Sequence, residues 1–201
     1  MRAAPGHVAA VASDDPQAIL ESCKRAAAIL QEAKVPFAIG GGIACWCYGA
    51  PESDHDVDIM LREEDARGAQ ELLAKHGMKP VDPPENWLLK VYDGDVLVDL
   101  IYRPEGLPIT DEVIERAPVR DVSAMKMRVL RLEDVFVTKL LSYNEHHLDY
   151  LGLLAVARAV REQLDWAEVR AATDHWPFAA GFLTLVERLG IVGDEELRRA
   201  G

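Results

Sequence analysis

Cysteine is scarce in this chain, with three among 201 residues: Cys23, Cys45 and Cys47. An odd count without paired spacing excludes a secreted disulfide framework and predicts reduced thiols. Cys45-Trp46-Cys47 has one intervening residue where a redox or zinc knuckle needs two, so these thiols read as small buried apolar side chains. No apolar run approaches the length of a membrane span. Met1-Arg2-Ala3-Ala4-Pro5 is not followed by the apolar core of a signal peptide, and Asp14-Asp15 would interrupt one, so the expected location is cytoplasmic, away from membranes. Positive charge is in deficit, 22 Lys and Arg against 34 Asp and Glu, a net charge of −12. That sign excludes a protein that coats nucleic acid non-specifically. It leaves room for a carboxylate-rich metal site. Repeats and low-complexity tracts are also lacking. With 49% apolar and 28% charged residues, a chain of this length can bury a core without disulfides to staple it.

Residues 1–12 are expected to form a flexible tail. Ser13-Asp14-Asp15-Pro16 reads as a helix start, with capping side chains ahead of a first-turn proline. The helix should run to Ala33, burying Ile19, Leu20, Cys23, Ala26, Ala27 and Leu30 along one face. A short strand, Val35 to Ile39, ends in Gly40-Gly41-Gly42, and a short helix from Ile43 to Tyr48 follows. Asp56 to Leu61 alternates carboxylate and apolar residues with the period of a strand. A helix from Glu63 to His76 precedes two strands, Trp87 to Tyr92 and Val96 to Tyr102, joined by the hairpin signal Asp93-Gly94. After a Pro/Gly loop, Val122 to Leu132 reads as one further edge strand or extended segment. Helices are expected at 132–143, 149–163, 166–173 and 178–189, with a short tail after Asp194. An α/β region over 13–131 thus precedes a helical region over 132–201.

Asp56 and Asp58 stand two apart on a strand and project from the same face. Two such carboxylates repel, and one takes up a proton unless a cation sits between them. A hard divalent ion with oxygen ligands is the natural solution, and Mg²⁺ shares its coordination with substrate phosphates. Asp99 supplies a third carboxylate from a strand otherwise too apolar to carry a charge idly. If its strand lies beside that of Asp56, the three converge, and three carboxylates can hold two metals. Gly41-Gly42, after a strand and before a helix, offers backbone N–H groups to an anion. Thirteen residues separate this pair from Asp56, enough for one short helix and a return to the neighbouring strand. An anion cradle would then face a metal cluster, as a nucleoside triphosphate requires.

Other motifs fail on particulars. Cys45 stands where a dinucleotide fingerprint needs its third glycine, and no Gly-Lys-Ser/Thr follows for a P-loop. Asp54-x-Asp56-x-Asp58 imitates an EF-hand start, but Ile59 and Asp65 replace the required glycine and glutamate.

Gly41-Gly42-Ile43-Ala44, Tyr48-Gly49, Asp56-Val57-Asp58 and Val98-Asp99-Leu100 together resemble the nucleotidyltransferase superfamily of DNA polymerase beta. The nearer likeness is to its small bacterial members, the antibiotic nucleotidyltransferases and the abortive-infection toxins. It covers residues 34–102, and more weakly 129–160, where Leu132-Glu133-Asp134 and Lys139-Leu140 match a recurrent helix. The resemblance implies an α/β (α+β) fold, a mixed sheet flanked by helices and followed by a C-terminal helical bundle. It implies that Gly41 and Gly42 contact the triphosphate, that Lys139 is a phosphate contact, and that Asp56, Asp58 and Asp99 hold Mg²⁺. Asp99 is also the implied aid to deprotonating the acceptor hydroxyl. Where many relatives carry arginine and threonine, this chain has Glu52 and Asp54, which puts negative charge near the expected triphosphate.

The expected reaction is Mg²⁺-dependent transfer of a nucleoside monophosphate from an NTP to an acceptor hydroxyl, with two metals held by Asp56, Asp58 and Asp99 and release of pyrophosphate. A small aminoglycoside-like acceptor suits the acidic balance, because cationic substrates are drawn to negative clefts. A tRNA-modifying toxin is the rival, and it needs the basic stretch Arg116, Arg120, Lys126, Arg128, Arg131 and Lys139 to line the cleft. A catalytically silent nucleotide- or partner-binding protein of the same fold is the third reading, with Glu52 and Asp54 as signs of decay. A second copy or an antitoxin are the protein partners to expect. Asp95 reads as a plain turn residue, His55 as structural, and His146-His147 with Asp149 as a surface turn. Tyr143 and Tyr150 read as helix-packing residues before base-stacking ones. Trp46, Trp166 and Trp176 read as core or helix contacts.

Overall fold

A computed structural model describes residues 15–52 and 56–193. The expected tail, the residues Ser13 and Asp14, the departure at Asp54, His55 and the segment after Asp194 lie outside the described residues. Helix α1 (Pro16–Glu32) begins where Asp15 accepts a hydrogen bond from the Gln17 N–H, with Pro16 in the first turn. Ile19, Cys23, Ala26, Ala27 and Leu30 are fully buried along it, while Leu20 is only partly covered.

Strand β1 (Ala38–Ile39) leads into helix α2 (Gly41–Cys47), which starts at the glycines and not after them. Strand β2 (Val57–Met60), helix α3 (Glu63–Lys75), β3 (Lys79–Val81), β4 (Leu88–Asp93) and β5 (Val96–Ile101) complete a five-stranded mixed sheet, in the order β1-β2-β5-β4-β3. Strands β2 and β5 run parallel and the other pairs antiparallel. The hairpin at Asp93-Gly94 forms, with Gly94 at φ +63°.

Two-residue alternation gives this sheet two unlike faces. Val57 and Ile59 of β2 lie level with Val98 and Leu100 of β5 and Val91 and Leu89 of β4, all buried, and α1 and α3 pack across these strands. The opposite face carries Asp58, Asp99 and Lys90 in one row, with Met60, Ile101 and Leu88 in the next. The apolar row needs the helices, and the polar row is left for a cleft.

The segment after Tyr102 departs from expectation. Helix α4 (Asp111–Arg116) forms past the Pro/Gly loop, where the sequence pattern predicts no element, capped by the Thr110 hydroxyl accepting from the Val113 N–H. The single edge strand expected over 122–132 is instead a separate hairpin, β6 (Val119–Val122) and β7 (Met125–Arg128). Its turn puts Ser123 and Ala124 at φ +51° and +67° without glycine, held by the Asp121 carboxylate accepting from the Ala124 N–H. Only the end of that stretch reaches the main sheet, where the Leu130 N–H donates to the Ile39 carbonyl at 2.9 Å.

Helix α5 (Leu132–Ser142) is buried on most sides and packs on α2, α7 (Trp166–Thr173) and α8 (Pro177–Arg188). Its buried acids sit in its first turn, which the helix dipole favours. Arg116 donates to Asp134 at 2.6 Å, and Glu133 accepts from the Asp165 N–H. Asp149 and Asp165 cap α6 (Tyr150–Val160) and α7. One apolar cluster runs through both halves, from Ile19 to Val192. Among the described residues no helix is long and apolar enough to cross a membrane.

Candidate functional site

Asp56 precedes β2 by one residue, Asp58 lies within β2, and Asp99 faces Asp58 from the parallel neighbour β5. One carboxylate oxygen from each lies within 4.8 Å of the other two. The convergence that was conditional on strand adjacency is therefore realised. Burial is the main cause holding the Asp58 carboxyl at about 8, with the charge of Asp56 next, Asp99 adding, and Lys139 and Lys90 opposing. Burial also raises Asp99, against the Lys90 ammonium beside it. A neutral Asp58 at pH 7 is the response of crowded carboxylates without a cation. An oxygen-only donor set that must otherwise keep a proton fits a hard divalent ion.

Gly41 explains why the chain needs a glycine here. Its φ is +55°, and a Cβ on it would stand 1.6 Å from Asp58 Oδ2. The Gly40 N–H donates to the Asp58 carbonyl at 2.9 Å, which clamps the start of α2 to β2. The backbone of α2 thus approaches the carboxylates as closely as atoms permit, and no side chain caps its first turn.

A cavity of about 560 Å³ opens beside this cluster, with Gly41, Asp58 and Lys139 on its wall. Lys139 comes from the last turn of α5 and Gly41 from the first of α2, on elements that pack together. Gly42, the second residue of α2, is not among the described residues that line it. The remaining wall includes Asn86, Trp87, Glu105 and Asn144, none of which was singled out from sequence. Trp87 is 39% exposed, unusual for so large an apolar side chain. It stands one residue before β4, and no pattern in the sequence marks it for the wall.

Lys90 was also missed, although the reasoning that picked Asp99 applies to it equally. It is a charge inside the apolar run Leu88-Leu89-Lys90-Val91, and its Nζ donates to both Asp99 oxygens at 2.9 Å.

The basic stretch does not line the cavity. Arg116 pairs with Asp134, Arg131 with Glu133 and Glu168, and Arg128 donates to the Glu115 and Ala117 carbonyls. Arg120 lies over the Tyr48 ring, 3.7 Å from its centroid. Of the six cations, Lys139 alone is on the wall. His146 and His147 occupy an exposed turn organised by the Asn144 side chain, as expected. Tyr143 donates to the Asp149 carbonyl and meets Tyr150 edge-on at 5.7 Å, so both pack helices. Cys23 and Cys45 are buried free thiols, and among the described residues no cysteine joins a potential metal cluster. Glu52 is exposed and away from the cavity wall.

A family model for "Nucleotidyl transferase of unknown function (DUF2204)" matches residues 19–181. Among solved structures, the solution structure of the antibiotic-resistance factor ANT(2'')-Ia superposes with a TM-score of 0.60 at 18% identity, covering 88% of this chain and 97% of that one. Lincomycin-bound LnuA, a lincosamide antibiotic adenylyltransferase, gives 0.50 at 12% identity, covering 76% and 97%. A putative nucleotidyltransferase from Thermotoga maritima gives 0.50 at 18% identity, covering 78% and 97%. At such identities the likeness is one of fold. No curated protein matches the chain.

Proposed function

Because the chain belongs to the nucleotidyl transferase family whose model spans residues 19–181, we propose that it transfers a nucleoside monophosphate from an NTP to a hydroxyl of a small acceptor. The observation that carries this reading is the meeting of Asp56, Asp58 and Asp99 within 4.8 Å, where Asp58 shares the wall of a cavity with Gly41 and Lys139 while Asp56 and Asp99 stand behind it.

Asp56, Asp58 and Asp99 would hold Mg²⁺. Bound there, Mg²⁺ would neutralise charge on the reacting phosphates. Lys139 and the N–H groups at Gly41 and Gly42 take the triphosphate, a role for Gly42 that rests on the motif alone. Positioning then does most of the work. The acceptor oxygen bonds to the α-phosphorus, the bond to the bridging oxygen breaks, pyrophosphate leaves, and the hydroxyl proton passes to Asp99. Burial raises the Asp99 carboxyl, which makes it a better proton acceptor than an exposed aspartate.

A small acceptor is favoured over tRNA because four arginines of the basic stretch are spent on internal contacts. The cavity wall, with Trp87, Asn86 and Glu105, offers an aromatic face, an amide and a carboxylate to a hydroxylated, cationic compound. Antibiotics are the acceptor class suggested by the fold's likeness to ANT(2'')-Ia and LnuA.

The test is a melting panel with ATP, GTP, CTP and UTP, with and without Mg²⁺, on the wild type and Asp58→Ala. A nucleotide at 100 times its dissociation constant stabilises by about 2.7 kcal/mol, a shift of roughly 5–10 °C for a chain of this size. A Mg²⁺-dependent shift lost in Asp58→Ala identifies the donor, and pyrophosphate release with aminoglycosides and lincosamides then identifies the acceptor. No shift with any nucleotide at millimolar concentration refutes the proposal.

A further inference from the structure

The carboxylates share their face of the sheet with a cation. Cross-strand register sets Asp58 of β2, Asp99 of β5 and Lys90 of β4 level with one another. Lys90 Nζ lies 2.9 Å from both oxygens of Asp99, with the two side chains 23% and 9% exposed. A solvated lysine gains little from such a pairing. Here the ammonium is largely shielded in the row, and removing it would leave the buried Asp99 carboxylate without its countercharge. The contact is also symmetric: one ammonium reaches both Asp99 oxygens from β4, the strand on the other side of β5 from Asp58, and each oxygen keeps a further lone pair.

Charge balance then limits what else the row accepts. In the metal-bound row, with all three carboxylates ionised, there are three negative charges, and Lys90 cancels one of them. A single divalent ion neutralises the remainder. A second would leave the site with an excess of positive charge before any phosphate arrives.

We infer that Lys90 acts at Asp99 as a tethered cation in place of a second metal ion, so that the nucleotide-free chain takes up one divalent cation, on the Asp56–Asp58 side of the row. The inference rests on the reading of these carboxylates as metal ligands. Lys90 is a positioning residue in this scheme, because it acts through Asp99 and holds that carboxylate facing Asp58.

The experiment is a Mn²⁺ titration of the full nucleotide-free chain, with free Mn²⁺ followed by its electron paramagnetic resonance signal. Wild type and Lys90→Arg should each bind one ion, Asp58→Asn none, and Lys90→Met two. Lys90→Gln keeps a donor within reach of Asp99 without the charge, and serves if the methionine chain fails to fold; it too should bind two. Two ions on the wild type, or one on the folded uncharged variants, overturns the role of Lys90 and leaves the metal site standing. No ion on the wild type overturns the metal site itself.

Discussion

Gly41→Ala would place a methyl group where the Asp58 carboxylate already stands. The backbone at φ +55° lies in the left-handed region, which costs an L-residue about 1–2 kcal/mol. The added Cβ would meet Asp58 Oδ2 at 1.6 Å, so the carboxylate must swing away or α2 must shift. Overpacking of that kind costs about 1–3 kcal/mol. The expected loss is therefore about 2–5 kcal/mol, or roughly 4–20 °C in melting temperature for a chain of this size. In an Asp58→Ala background the carboxylate is gone and mainly the backbone strain remains, so the same substitution should cost about 1–2 kcal/mol. Urea denaturation of the four chains without metal closes the cycle. If Gly41→Ala costs the same in both backgrounds to within about 0.5 kcal/mol, the claim that glycine is there to admit Asp58 is refuted.

Asp58, pushed up to about 8, should couple metal binding to proton release. Apparent Mg²⁺ affinity should rise by up to about tenfold per pH unit below pH 8 and level off above it, measured by calorimetry from pH 6 to 9; a flat profile counts against the assignment. Without metal, the folded chain keeps a proton that the unfolded chain has released between the ordinary carboxylate range and pH 8. This group therefore makes stability fall as pH rises through that window, and Asp58→Asn should flatten the fall in melting curves. Lys139→Gln should raise KM for the nucleotide roughly tenfold or more, as loss of a charge-assisted hydrogen bond does. It should also move the pH midpoint of Mg²⁺ binding upward, because Lys139 opposes the shift at Asp58. Asp165→Ala removes an acceptor from two N–H groups of α7 and should cost about 1 kcal/mol, seen as a lower melting temperature with unchanged metal affinity.

Local chemistry made much of this fold legible. Asp15 with Pro16 announces a helix start, and Asp93-Gly94 announces a hairpin, because each satisfies its backbone within a few residues. Asp58 and Asp99 were legible because a charge inside an apolar alternation has few other uses. Strand β3 escaped notice because it is a fully exposed edge carrying Pro80, with no buried face to impose a period. Helix α4 was hidden by the prolines before it, although Thr110-Asp111-Glu112 is a fair capping signal. The β6–β7 hairpin turns at Ser123-Ala124, where no glycine marks the left-handed residues and the Asp121 carboxylate holds them instead.

Sequence alone determined which residues carry charge into apolar strands and which turn chemistry separates them, because propensity, period and capping act over short distances. Only the tertiary structure decided the partners. Strand order placed Lys90 opposite Asp99, the packing of α5 brought Lys139 to the cavity that Trp87 also lines, and Asp134 of α5 and Glu168 of α7 claimed Arg116 and Arg131, which sequence had offered to a polyanion. Register and crossing geometry arise from burying the whole core at once, so short-range pattern does not contain them.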